Sequence, residues 1–129
     1  IRQGNPKLAL SDFEEAMNVD LKRDNATIAE SLADRGFAHM ELGNINVAVA
    51  LLEESVQRFI LAGSIAFSIR AKKRLALAYL KSLQPNKAAR ELNEAYDLAD
   101  AHQVYDQIAP VMELMHRISQ VTGWWRSSH

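Results

Sequence analysis

The apolar positions of this chain recur at helical spacing along almost its whole length. Val47, Leu51, Leu52 and Val56 fall at i, i+4, i+5 and i+9, and Leu92, Ala95, Tyr96 and Ala99 at i, i+3, i+4 and i+7. Each set makes one apolar stripe on a helix with polar residues opposite. Helix signals punctuate the pattern: Asn5 before Pro6, Asn25 before Ala26, Gly43-Asn44, Gly63-Ser64, and Ser82-Leu83-Gln84 before Pro85. Six helices are predicted, over 6–20, 26–42, 45–62, 64–82, 85–101 and 103–122. Pro110 falls inside the last, which is therefore expected to kink or to start later.

The stripes themselves repeat. Ala9, Phe13 and Ala16 return as Ala48, Leu52 and Ser55, and again as Ala88, Leu92 and Ala95, at steps of 39 and 40 residues. Gly4 matches Gly43, and Leu32, Gly36 and His39 match Lys72, Ala76 and Tyr79 at an offset of 40. A mid-helix Gly costs about 1 kcal/mol relative to Ala, so Gly36 makes sense only where a second helix backbone passes close by. The repeating unit is a helix pair.

Composition adds little that opposes this. With 5 Gly and 3 Pro in 129 residues, the chain lacks the turn material of a sandwich or barrel. The net charge of -1 supplies no global attraction to nucleic acid or anionic membrane. Zero Cys removes disulfides, thiolate catalysis and thiolate metal sites, and fits a cytoplasmic setting. No apolar run approaches the roughly 18 residues of a membrane span. The start, Ile1-Arg2-Gln3-Gly4, is unlike a signal peptide, and its lack of Met reads as a piece of a longer chain.

The helix pairs resemble the tetratricopeptide repeat family, whose pattern is W-x2-L-G-x2-Y in a first helix and A-x3-F in a second. The matching residues are Leu32-x2-Arg35-Gly36-x2-His39 with Ala48-x3-Leu52, then Lys72-x2-Leu75-Ala76-x2-Tyr79 with Ala88-x3-Leu92. The opening stretch supplies a second helix only, Ala9-x3-Phe13-x2-Ala16. Neither first helix carries the Trp, and Lys72 stands where a large apolar residue is usual. The resemblance covers residues 4 to 101, with a step longer than the typical 34 residues. Such extended repeats occur in regulatory proteins, including bacterial transcription regulators, repeat-bearing signalling proteins and animal scaffolds.

The resemblance implies an all-α fold, with antiparallel helix pairs stacked as a right-handed superhelix. The expected organisation is a half repeat at 1–25, repeats at 26–63 and 64–102, a closing helix at 103–122 and a tail at 123–129. First helices of such arrays line a concave surface that binds other proteins. That places Glu30, Asp34, Phe37, Met40 and Glu41 opposite Arg70, Lys73, Arg74, Leu77 and Lys81. In register, Glu30 faces Arg70, Asp34 faces Arg74 and Glu41 faces Lys81. The wider charge distribution agrees: residues 1–63 carry six Lys and Arg against ten Asp and Glu, residues 64–129 nine against six.

Two roles are open for these charges. They pair with one another across the groove, each exposed pair worth roughly 0 to 1 kcal/mol, or they hold a peptide or protein segment between them. A module of this kind in a larger regulatory or signalling protein is the expected function. A purely architectural or dimerising piece is the alternative, and so is a chaperone-tail clamp, although Asp34 stands where such a clamp has Asn.

Catalytic signals are thin. Glu113-x-x-His116 has the spacing of a helix-borne metal pair but lacks the second motif and extra carboxylates of a di-metal site. His39 takes the place of a packing Tyr, and His102 lies at a helix junction. No phosphate-binding loop, dinucleotide turn, nucleophile elbow or zinc-protease helix occurs. No enzyme activity, cofactor or metal is expected. Nucleic-acid binding is not expected either, because Arg70, Lys72, Lys73 and Arg74 spread over more than one helix face with no aromatic residue among them. Self-association is expected through the uncovered face of Leu8, Leu10, Phe13 and Met17, or through Trp124 and Trp125.

Overall fold

The computed structural model describes the backbone of residues 6–122 and the side chains of residues 21–120. The chain is all-α. Its elements are α1 (Pro6–Glu41), α2 (Ile45–Leu61), α3 (Ile65–Lys81), α4 (Pro85–Ala101), a 3-10 turn (Tyr105–Gln107) and α5 (Ile108–Thr122). Leu8, Leu10, Phe13, Met17, Trp124 and Trp125, the residues expected to carry self-association, lie outside the described side chains.

Helices α2, α3 and α4 are each 17 residues long and are separated by three-residue turns, so their first residues fall at 45, 65 and 85. The turns share one mechanism. The third residue after the helix end donates its amide five residues back: Asn44 to the His39 carbonyl, Ser64 to Phe59, Gln84 to Tyr79 and Val104 to Ala99, at 2.8 to 3.0 Å. The residue before it adopts a positive φ: 87° at Gly43, 72° at Gly63, 63° at Leu83 and 58° at Gln103. These are Schellman ends, which satisfy the orphan carbonyls of a helix and reverse the chain in the fewest residues. Short reversals make consecutive helices antiparallel neighbours, and α1 packs on α2, α2 on α3, α3 on α4 and α4 on α5.

Among the described residues there are five α-helices, not the six predicted, because 6–20 and 26–42 are one continuous helix. The run from Asp20 to Thr27 contains neither Gly nor Pro. An interior Asn costs well under about 1 kcal/mol, too little to break a helix that both flanks favour. The side chain of Asn25 caps nothing locally; its Oδ1 accepts from Arg58 Nη1 of α2 at 3.1 Å. The last predicted helix begins late, at Ile108, so that Pro110 occupies the first turn, where its missing N–H has no intrahelical acceptor to lose.

The core is built from small residues alternating with a few large ones. Ala29, Ala33, Gly36, Ala48, Ala71, Ala76, Ala78, Ala88, Ala95 and Ala99 are buried beside Leu52, Ile69, Leu75, Leu92, Val111 and Ile118. A Cβ on Gly36 would stand 2.9 Å from Leu52 Cγ and 3.4 Å from the Ala48 carbonyl oxygen. Close approach of α1 and α2 therefore explains the mid-helix glycine, as its pattern predicts. Ser55 ties the same seam, its buried hydroxyl donating to the Ala29 carbonyl at 2.9 Å. No described helix is long and apolar enough to cross a membrane.

These contacts set the stability of two positions. Leu83 is 88% exposed and held at a φ that favours glycine. Leu83→Gly is expected to raise stability by about 0.5 to 1 kcal/mol, the strain relieved less the added unfolded-state entropy. Gly36→Val is expected to cost about 2 to 3 kcal/mol by overpacking against Leu52. Urea titration of both variants measures these differences, and equal midpoints for wild type and Leu83→Gly would show that the turn stores no strain.

Candidate protein-binding groove

Helix α3 lies centrally, and its stripes face opposite ways. At about 100° per residue, Phe67, Arg70, Lys73, Arg74, Leu77 and Lys81 fall on one side, and Lys72, Leu75 and Tyr79 roughly half a turn away. The first side meets α1 and α5, the second α2 and α4.

Between α1 and α3 lies a hollow of about 200 Å³ lined by Glu30, Ala33, Asp34, Phe59, Phe67, Arg70, Ala71 and Arg74. Both register pairs expected there, Glu30 with Arg70 and Asp34 with Arg74, are brought to the same hollow. They do not pair: among the described residues, no ion pair within 4.0 Å joins them. The arginines lie over aromatic rings instead. Arg70 Cζ sits 5.5 Å from the Phe67 ring centre and Arg74 Cζ 5.3 Å from that of Phe37. Phe67 in turn stacks on Phe59 at 5.5 Å. A guanidinium attracted to a ring face keeps its N–H donors available for an incoming acceptor.

Beyond the two arginines, α3 and α5 enclose a second hollow of about 360 Å³ lined by Arg70, Lys73, Arg74, Leu77, Pro110, Glu113, Leu114 and Arg117. Arg70 and Arg74 line both hollows and form the ridge between them. Lys73 Nζ donates to Gln107 Oε1 at 2.8 Å. Burial lowers the Lys73 ammonium pKa, the Arg70 and Arg74 charges lower it further, and Asp106 opposes them. Glu113 accepts from Arg117 Nη2 at 3.3 Å, one helical turn away.

Of the ten residues expected to line the groove, seven lie at the two hollows or under the ridge: Glu30, Asp34, Phe37, Arg70, Lys73, Arg74 and Leu77. Met40 does not; it is 6% exposed and belongs to the core between helices. Glu41 and Lys81 are exposed at the ends of α1 and α3 and line neither hollow. Phe59 and Phe67 join the lining without being singled out by the repeat, as does the whole α5 wall of Pro110, Glu113, Leu114 and Arg117. A signal for Phe67 exists in the sequence, because it lies one turn before Arg70 on the same stripe.

The opposite face of α3 explains Lys72. Where the repeat pattern has a large apolar residue, the Lys72 side chain is 7% exposed and its ammonium donates to Glu94 at 2.7 Å and to Glu91 at 3.2 Å. These groups line a trough of about 610 Å³ between α2 and α4 together with Glu53, Glu54, Tyr79 and Arg90. Burial raises the Glu91 carboxyl pKa against the pull of Lys72, with Glu94 and Glu53 adding to the rise. Burial and the carboxylates of Glu53 and Glu91 push Tyr79 up to about 12.

Two of the histidines are engaged locally. His39 Nδ1 is 3.3 Å from the Asn44 amide nitrogen, and His116 Nε2 is 3.0 Å from that of Gln120. Among the described residues, no group of three His, Asp or Glu side chains is placed to hold a metal ion. Compared with protein-family models, curated proteins and solved structures, the chain matches none.

Lys72→Met is expected to destabilise by about 2 kcal/mol at pH 7, below the usual range for a broken buried pair because Glu94 is half exposed. The sign of the pH effect follows from Glu91. A carboxyl whose folded pKa is raised favours folding when protonated, a contribution present below about 4.5 and lost as pH rises through the folded value. Without Lys72 that pKa rises further. The deficit of the variant is therefore expected to be full near neutrality and to shrink as pH falls through the Glu91 titration, which urea titrations across that range measure.

Proposed function

We propose that this chain is a tetratricopeptide-like interaction module of a larger regulatory protein, and that it holds a peptide or protein segment across α1, α3 and α5. The observation that carries the reading is the state of Arg70 and Arg74. Two cations one turn apart are mounted on Phe67 and Phe37, and among the described residues neither closes an ion pair with the nearby Glu30 or Asp34. A face whose only task was to join its helices gains by closing those pairs. One that receives a ligand gains by keeping donors and acceptors apart with an apolar floor between them.

The helix starts at 45, 65 and 85, with a shared turn mechanism, support the repeat reading, since each pair then presents the same faces in register. Phe37 and Phe67, both exposed, supply aromatic anchoring area of the kind that dominates protein interfaces, and buried Phe59 backs Phe67.

The test is a comparison of two immobilised proteins, wild type and Arg70→Glu/Arg74→Glu/Lys81→Glu, with retained proteins identified by mass spectrometry and then titrated against each purified form. The variant is expected to keep its circular dichroism and to bind the retained partner at least about tenfold more weakly. Equal affinity of both forms would move the site off this face.

A further inference from the structure

The two hollows differ in sign, and that difference selects what each accepts. On the α1 side, Glu30 and Asp34 balance Arg70 and Arg74. On the α5 side the same two arginines are joined by Lys73 and Arg117, against Glu113, which is engaged by Arg117, and Asp106, whose charge acts on Lys73 without closing an ion pair with it among the described residues. The floor of this second hollow is apolar, made of Leu77, Pro110 and Leu114. Among the described residues, neither Arg70 nor Arg74 donates a hydrogen bond, and Lys73 is held by the neutral amide of Gln107.

We propose that the hollow between α3 and α5 receives a carboxylate side chain of an acidic, apolar peptide segment, seated on Arg70, Lys73 and Arg74 with a neighbouring apolar side chain on Leu77, Pro110 and Leu114. This rests on the groove reading above and adds to it the sign and the place. A carboxylate there offsets repulsion among three cations that close no ion pair among the described residues, and it accepts from guanidinium groups that lie near the Phe67 and Phe37 rings. Glu30 and Asp34, on the far side of the ridge, repel the same group. The partner segment is thereby held in one direction, its acidic residue toward α5 and any basic residue toward α1.

The test needs no known partner. Three short synthetic peptides of one apolar pattern, carrying Glu, Gln or Lys at the charged positions, are titrated into the full chain and followed by amide chemical shifts. The Glu peptide is expected to shift residues on α3 and α5 around Arg74 and Leu114, to bind roughly tenfold more tightly than the Gln peptide, and to weaken as salt is added. The Lys peptide is expected to bind weakest. In Glu30→Gln/Asp34→Asn the Glu peptide is expected to bind at least as well as in wild type, and in Lys73→Gln roughly tenfold less well, with melting curves confirming that both variants fold.

Equal binding of the three peptides, or preference for Lys, with shifts still in the groove would overturn the sign assigned here and leave the groove reading standing. No groove shift with any of the three would overturn both.

Discussion

The approach of helix backbones through small side chains is the constraint from which the rest of this structure follows. Where Gly36 of α1 meets Ala48 and Leu52 of α2, there is no room for even one added methyl group. Ala71, Ala76 and Ala78 on α3 and Ala88, Ala95 and Ala99 on α4 are buried at the same kind of crossing. Helices this close gain dense dispersion contacts at little side-chain entropy cost, since Ala has no rotamers to lose. The cost is that most charged side chains are expelled from the seams. They gather at the edges, where α3 must carry its lysines and arginines toward either flank.

That expulsion gives α3 its divided character. Lys72 and Lys73 are adjacent in sequence and differ by about 100° around the helix. One meets two carboxylates and the other a neutral amide beside two arginines. The first is a closed electrostatic unit, in which a buried ammonium offsets the desolvation of Glu91. The second is open: Arg70 and Arg74 share its sign, and among the described residues Asp106, the opposing charge, closes no ion pair with it. A chain can tolerate such an open cluster only where solvent or a ligand reaches it, and the hollow beside α5 provides that access.

Much of the fold is legible in the sequence because its determinants are local. Gly43 and Gly63 mark turns by the one property that distinguishes glycine, and Pro85 marks the third from outside the turn. Leu83 and Gln103 carry the same left-handed backbone with no sign of it in their own residue type, so Pro85 locates the first of their turns and period alone the second. Asn25 misleads because a residue that can cap a helix can also sit inside one. The deciding partner, Arg58, is 33 residues away. Long-range contacts of that kind leave no trace in periodicity.

The groove is legible by halves for the same reason. An offset of 40 residues aligns α1 with α3, so the sequence alone suffices to match Glu30 with Arg70 and Asp34 with Arg74. Helix α5 has no counterpart at that offset within the matched repeats, and its wall of Pro110, Glu113, Leu114 and Arg117 is invisible to a search that follows the repeat. Met40 shows the opposite error. The 40-residue match puts it on the inner face, but its side chain is buried in the core cluster. Matching at the 40-residue offset thus places the facing sides of α1 and α3 well and fails near the ends of these helices. It is from α5, outside that matching, that the cationic ridge acquires its second wall.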